Sequence, residues 1–314
     1  MSQESLLTPR VLFPFVLVTL IWGGTWIVIK DQLGSVPPAW SIAYRFAIAA
    51  VAMFLYAAVT RRRLRIDRRG HLLAIGFGIP QFVLNFNFVY LAERFVTSGL
   101  VAVTFALLLV PNTAFGWLFL KHRITRGFLL GSAIAVIGVA LLFVQEVRAT
   151  TLAPGAVLVG VGLTLLGVLS ASVSNVMQAT DGLRSRPVAT MIAWGMSYGA
   201  LANAALAFLL YGGPVAEPRI GYWAGLLYLS LAASALAFTL YFGVIRAVGP
   251  GRAAYSSLLV PIIAMAISTA LEDYRWSTLA VAGGALALSG MALALRSKPA
   301  EPIASIQSGS SASR

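Results

Sequence analysis

Long apolar stretches alternate with short polar ones along nearly the whole chain. Runs of about 20 residues, each able to cross a ~30 Å hydrocarbon core as a helix, recur over 11–30, 38–60, 71–91, 96–119, 127–145, 154–178, 188–211, 221–245, 252–271 and 276–296. They are too long for the ~10-residue alternating strands of an outer-membrane barrel, and a spanning backbone must satisfy its own hydrogen bonds. The pattern predicts an all-α polytopic membrane protein with ten transmembrane helices. Residues 1–10 form a polar N-terminus and 297–314 a Ser-, Ala- and Pro-rich tail expected to be disordered. The first run, Val11 to Ile29, exceeds the ~7–15 residues of a signal-peptide core and lacks a small-x-small cleavage site, so it is read as the first helix.

A longer period underlies this pattern. Leu108-Leu109-Val110-Pro111 precedes the basic loop Lys121-His122-Arg123 and glycines at 131 and 138. Leu258-Leu259-Val260-Pro261 precedes Glu272-Asp273-Tyr274-Arg275 and glycines at 283 and 290. The proline lies 27 residues before the second glycine in one case and 29 in the other. This order predicts two copies of a five-helix unit, 11–145 and 154–296. Because five is odd, the second copy is inverted relative to the first.

Charge orients the bundle. One set of loops carries 17 of the Lys and Arg residues, including Arg61, Arg62, Arg63, Arg65, Arg68 and Arg69. The opposite set carries five, namely Lys30, Arg94, Arg148, Arg219 and Arg275. The positive-inside rule then puts both termini in the cytoplasm. It also disposes of a nucleic-acid reading of the +13 net charge, since the basic residues sit in loops between spans. With 59% apolar and 11% charged residues, the composition agrees with a membrane class.

Candidate chemistry is sparse. The chain has no cysteine, its histidines (His71 and His122) fall at helix ends in basic company, and all ten acidic residues lie in loops, termini or helix ends. Nothing supplies the nucleophile, paired carboxylates or metal ligands of an intramembrane enzyme. No phosphate-loop pattern suggests ATP, no cofactor is implied, and nothing reads as the selectivity ring of a channel. No carboxylate occupies the middle of a span, where a proton relay would ordinarily put one. Glu93 and Glu272, at outer helix ends, read first as capping or solvated groups.

The polar residues inside spans are the candidates for a binding site. Arg45 is seven residues beyond Pro38, roughly 10 Å into the second span at ~1.5 Å per residue. Its planar fork suits a carboxylate or phosphate, and snorkelling to the headgroups is the alternative. The third span carries Gln81, Asn85, Asn87 and Tyr90, with Gln81 and Asn85 on one face and Asn87 on another. With Trp22 and Thr104, the Gln81/Asn85 face would line a neutral, aromatic pocket, unless these amides serve only as interhelical glue. The second half offers Ser170, Ser174, Asn175, Tyr198 and Asn203, and tyrosines 241 and 255 suit either stacking on a substrate or interfacial anchoring. Pro111 and Pro261, mid-span in both copies, are hinge candidates or static kinks.

In order, Trp22-Gly23, Pro38 with Arg45, Tyr90-Leu91-Ala92, Pro111, Gly138-Val139-Ala140, Pro261, Glu272 and Gly290-Met291-Ala292 match one pattern. With these motifs the chain resembles the drug/metabolite transporter superfamily, EamA type, over residues 11–296. It departs at Lys121-His122-Arg123, where the first copy more often carries a Glu. The resemblance implies a bacterial inner-membrane carrier of small metabolites such as amino acids, often an exporter, with a central cavity between its halves. The expected partners are a small-molecule substrate and the lipid bilayer, and no nucleic acid; whether a proton or other ion is coupled, and whether the state is monomeric or homodimeric, the residues leave open. A flippase-like carrier of a lipid-linked or phosphorylated substrate is the alternative.

Overall fold

The computed structural model describes residues 8–34, 36–120, 124–149, 153–248, 256–272 and 276–296. Every regular element among them is helical. The first half comprises α1 (Pro9–Gly23), α2 (Thr25–Asp31), α3 (Pro38–Val59), α4 (Arg68–Gly78), a π-helical Ile79–Asn85, α5 (Phe86–Ala92), α6 (Ser98–Phe105), a 3-10 turn Ala106–Leu108, α7 (Leu109–Leu120) and α8 (Arg126–Ala149). The second comprises α9 (Pro154–Gln178), α10 (Asp181–Arg184), α11 (Val188–Tyr211), α12 (Ile220–Leu227), a π-helical Tyr228–Leu236, α13 (Ala237–Val248), α14 (Ser256–Leu271) and α15 (Thr278–Arg296).

Eight segments are long and apolar enough to cross a membrane, running from Pro9–Asp31 to Ile220–Val244, and Leu259–Leu271 and Thr278–Ala294 are shorter apolar helices. The eight coincide with the first eight runs read from the sequence, and the two shorter helices fall within the ninth and tenth. The start of the ninth expected span (252–255, with Tyr255), the loop residues Lys121, His122 and Arg123, Asp273-Tyr274-Arg275 and the ends 1–7 and 297–314 lie outside the described residues, while Pro9 and Arg10 of the expected polar N-terminus belong to α1.

Several runs that read as single helices are broken, each for an identifiable reason. The first bends at Gly24, where the Tyr228 hydroxyl donates to the Ile21 carbonyl (2.7 Å) that Thr25 Oγ1 also meets (2.9 Å). A side chain inserted into the ladder is a standard cause of a kink. The third run widens into a π turn after Gly78, where Pro80 has no N–H to give its helix. There Asn203 Nδ2 reaches the Phe82 carbonyl at 2.9 Å. The eighth widens likewise, and side chains satisfy its freed carbonyls. Trp22 Nε1 donates to Ala233 O (3.1 Å) and Ser234 Oγ to Leu229 O (2.8 Å). In the fourth run the chain tightens over Ala106–Leu108, just before Pro111, whose ring conflicts with the carbonyl four residues earlier.

Helices α8 and α15 pack through glycines. A Cβ on Gly131 would lie 2.5 Å from Gly290 O, and one on Gly138 would lie 2.6 Å from Gly283 O. As the residue number rises on one helix it falls on the other, so the pair runs antiparallel. Only glycine lets the two backbones approach this closely.

At one end of the bundle the 61–67 loop is stitched to α11 by Thr190 Oγ1 to Arg63 O (2.8 Å) and Trp194 Nε1 to Leu64 O (2.9 Å). Asp67 caps α4 through Gly70 N (3.0 Å) and pairs with Arg186 at 2.5 Å. The Arg186 guanidinium holds the Asp67 carboxyl down at about 2, with help from the Gly70 amide. At the other end Arg219 pairs with Asp31 at 2.7 Å, tying a second-half loop to the end of α2.

Candidate functional site

The breaks in the helices converge on one cavity. It measures about 130 Å³ and is lined by α1, α2, α3, α5, α6, the 3-10 turn, α9, α13, α14 and both π-helical segments. Its walls are largely apolar, with six aromatic side chains among them. Trp22 meets Tyr241 and Phe238 edge-on at 4.9 and 5.5 Å, and Trp26 meets Phe105 at 5.3 Å.

Arg45 supplies the positive charge. The α3 helix starts at Pro38, whose fixed φ suits a first helical position, and Arg45 falls two turns later on the face turned inward. It is 1% exposed, so it does not snorkel. Its Nε donates to Ser234 Oγ at 2.9 Å, a hydroxyl from the second π-helical segment. Its guanidinium carbon lies 4.4 Å from the centroid of Phe86 and 5.5 Å from that of Phe46, within cation–π range. Nη1 has no hydrogen-bond partner among the described residues. Buried, polarised on one side and unfilled on another, the cation is ready for an anionic group.

Neutral polar groups surround it. Asn85 and Gln81 both line the cavity from the first π-helical segment, as their four-residue spacing suggested. Asn85 Oδ1 and Trp26 Nε1 lack partners among the described residues. A buried donor or acceptor left open costs about 1–3 kcal/mol, which a bound molecule with matching groups would recover. An apolar cavity of ~150 Å³ holds benzene, so this space suits one small organic molecule.

Of the residues singled out from sequence, Trp22, Arg45, Gln81, Asn85, Asn175, Tyr241 and Pro261 line the cavity together. Tyr90 lies behind Arg45, fully buried, with its hydroxyl beside the guanidinium. Thr104 and Ser174 are buried beside the lining without reaching it, while neighbours Phe105 and Asn175 do reach it. Tyr198 is elsewhere, with its hydroxyl 2.7 Å from His71 Nδ1 and its ring stacked on Trp194. His71 is thereby engaged rather than simply solvated. Pro111 lies just beyond the lining residue Leu108. Asn87 bonds Asn203 Oδ1 at 2.6 Å and serves helix packing. Sequence reading passed over Thr25, Trp26, Phe86, Phe105, Phe238 and Ser256, all in the wall. For the phenylalanines no signal distinguishes a cavity-facing ring from a lipid-facing one.

Comparison with known proteins agrees with this architecture. A crystal structure of another protein superposes with a TM-score of 0.67 over 90% of this chain and 95% of that one, at 20% identity. A protein of Salmonella typhimurium named "Probable amino-acid metabolite efflux pump" is 26% identical over 89% of this chain and 92% of its own length. The Bacillus subtilis "Uncharacterized transporter YoaV" is 23% identical over 82% of this chain and 86% of its own. PagO of Salmonella typhimurium is 27% identical, but over only 44% of this chain and 45% of that protein. The model of the "EamA-like transporter family" matches twice, over residues 10–144 and 158–296. With nearly all of its length so matched, this multi-pass membrane protein belongs to the EamA-like transporter family.

Proposed function

We propose that this protein is a secondary carrier that exports small carboxylate-bearing metabolites, amino acids among them, across the bacterial inner membrane. It works by alternating access about the central cavity, with ten spans arranged as two inverted five-helix repeats. Three observations support the architecture. The family match is double, α8 and α15 occupy equivalent places in the two copies and run antiparallel, and each copy carries a π-helical segment in its third span. The basic-loop asymmetry favours cytoplasmic termini. Export is favoured by the relatives whose names describe efflux.

The observation that carries the substrate class is Arg45, buried, with an open Nη1 at an aromatic cavity. A charge-assisted hydrogen bond to a buried guanidinium is worth about 1.5–3 kcal/mol, or roughly 10- to 100-fold in affinity. The test is uptake of radiolabelled amino acids and their decarboxylated amines into liposomes holding purified protein. Wild type should move the acids and not the amines, and Arg45→Gln should lose 10-fold or more of the acid flux. Equal flux of acid and amine, or an unaffected Arg45→Gln, would overturn the assignment. Preference for lipid phosphates over every amino acid would establish the flippase-like alternative.

A further inference from the structure

A second buried polar centre lies at the end of the bundle that also holds Asp31 and Arg219. Glu93 directly follows the span Arg68–Ala92. Its side chain is 0% exposed, and neither carboxylate oxygen has a hydrogen-bond partner among the described residues. Three titratable groups face it, namely Lys30 from α2, Glu272 from the end of α14, and Tyr90 one turn back on its own helix. Arg45 of α3 is felt beyond Tyr90. The neighbouring α6 and α9 bring no titratable side chain.

None of the three neutralises Glu93. The Lys30 ammonium is engaged by backbone carbonyls, donating to Glu93 O (2.6 Å) and Val96 O (3.0 Å), where it closes the C-terminus of α5. Glu272 faces the start of α6, accepting from the Ser98 amide (3.4 Å) and from the hydroxyls of Ser98 and Ser268. An ionised carboxylate with no donor and no water would be strongly penalised. Burial pushes the Glu93 carboxyl well above the usual carboxylate range, Lys30 opposes the shift and Glu272 adds to it. A groove of about 480 Å³ lined by Ile27, Lys30, Asp31, Thr97, Leu271 and Glu272 lies over this seam, which joins first-half helices to α14 of the second.

We propose that Glu93 is a proton-binding site of the carrier, holding its proton while the seam between α2, α6 and α14 is closed, as here, and releasing it when the seam opens. On opening, the carboxyl O–H passes its proton to water in the groove, and the carboxylate left behind is met by the Lys30 ammonium. Because the closed form binds the proton more tightly, it is favoured at low pH and lost as pH rises through the raised titration range of Glu93. Tyr90, between Glu93 and Arg45, makes this state perceptible at the cavity.

The carrier reading gives this site its role, but the test needs no substrate. The full chain has no cysteine, so Gly34→Cys, three residues beyond the lining residue Asp31, and Leu271→Cys, in the lining itself, can be introduced and spin-labelled without background, one on each half. Pulsed electron–electron resonance should show the distance distribution shifting to longer values as pH rises. The shift should persist in Glu93→Asp and vanish in Glu93→Gln, which stays closed throughout. Infrared difference spectra of the unlabelled protein should show a protonated-carboxyl band that disappears in Glu93→Gln and survives in Glu272→Gln. A pH-independent distance, a distance shift retained by Glu93→Gln, or a carboxyl band unaffected by that substitution would overturn the proposal. Failure of amino-acid flux with these signals intact would instead count against the carrier reading alone.

Discussion

Replacing Gly290 with alanine places a methyl carbon 2.4 Å from Ala135 N and 2.5 Å from Gly131 O. Both obstacles are backbone atoms of α8, so no side-chain rotation relieves them. An ordinary carbon contact needs about 3.5–4.0 Å, and α8 and α15 would therefore have to part by roughly 1 Å along their glycine seam. Overpacking of this kind costs typically ~1–3 kcal/mol. Alanine returns up to ~1 kcal/mol in helix propensity, leaving a net loss of up to about 2 kcal/mol. Gly284, in the same helix, supplies the control, because nothing lies within 4 Å of a Cβ there. Gly284→Ala keeps the propensity gain and meets no clash. Thermal unfolding of the purified protein in detergent should thus move in opposite directions, down by several degrees for Gly290→Ala and unchanged or up for Gly284→Ala, at ~2–4 °C per kcal/mol. Equal shifts for the two variants would refute the close antiparallel seam, and with it the packing argument that supports inverted repeats.

Other outcomes follow from the polar contacts. Asp67 titrates at about 2 when folded against ~3.9 unfolded, so its contribution is present above pH ~4 and is lost as pH falls toward 2. Unfolding midpoints measured down that range should fall more for wild type than for Asp67→Asn. Asn203→Leu removes the interhelical partner of both Asn87 Nδ2, which keeps only Val83 O on its own helix, and the Phe82 carbonyl; interhelical bonds in membranes average ~0.6 kcal/mol each, so urea or thermal denaturation should show a loss of about 1 kcal/mol or more, and Asn87→Leu added to it should cost little further. Tyr228→Phe frees the Ile21 carbonyl while Thr25 still reaches it; the expected loss is small, within ~1 kcal/mol, and a larger one would mean that the hydroxyl holds the bend at Gly24 alone.

The spans were legible because a membrane demands so much of sequence. Twenty apolar residues mean nearly the same thing wherever they occur, and Pro111 and Pro261 mark equivalent places in the two copies. Arg45 and Asn85 were legible as candidates because a polar atom within a span has few inexpensive settings. What could not be read was direction. Whether Arg45 turns toward headgroups or inward depends on Ser234 and Phe86, remote in sequence and unremarkable in themselves. The wall rings Phe86, Phe105 and Phe238 could not be told from lipid-facing ones, since hydrocarbon and protein interior favour the same side chains. Glu93 reads as a cap or a solvated end, and it does stand at the C-cap of α5, but its carboxyl is buried rather than solvated. A helix terminus is normally wet, and only the packing of Lys30 and Glu272 around this one makes it dry.

The two π-helical segments carry a further consequence. Each stores one residue more than the α-helix around it, and that surplus is free to travel. Moving it one step along the chain re-indexes every side chain it passes by about 100° without adding or removing net backbone bonds. Asn85 lines the cavity from the first segment and Ser234 holds Arg45 Nε from the second, so a small phase slip in either would rewrite what the site offers its guest.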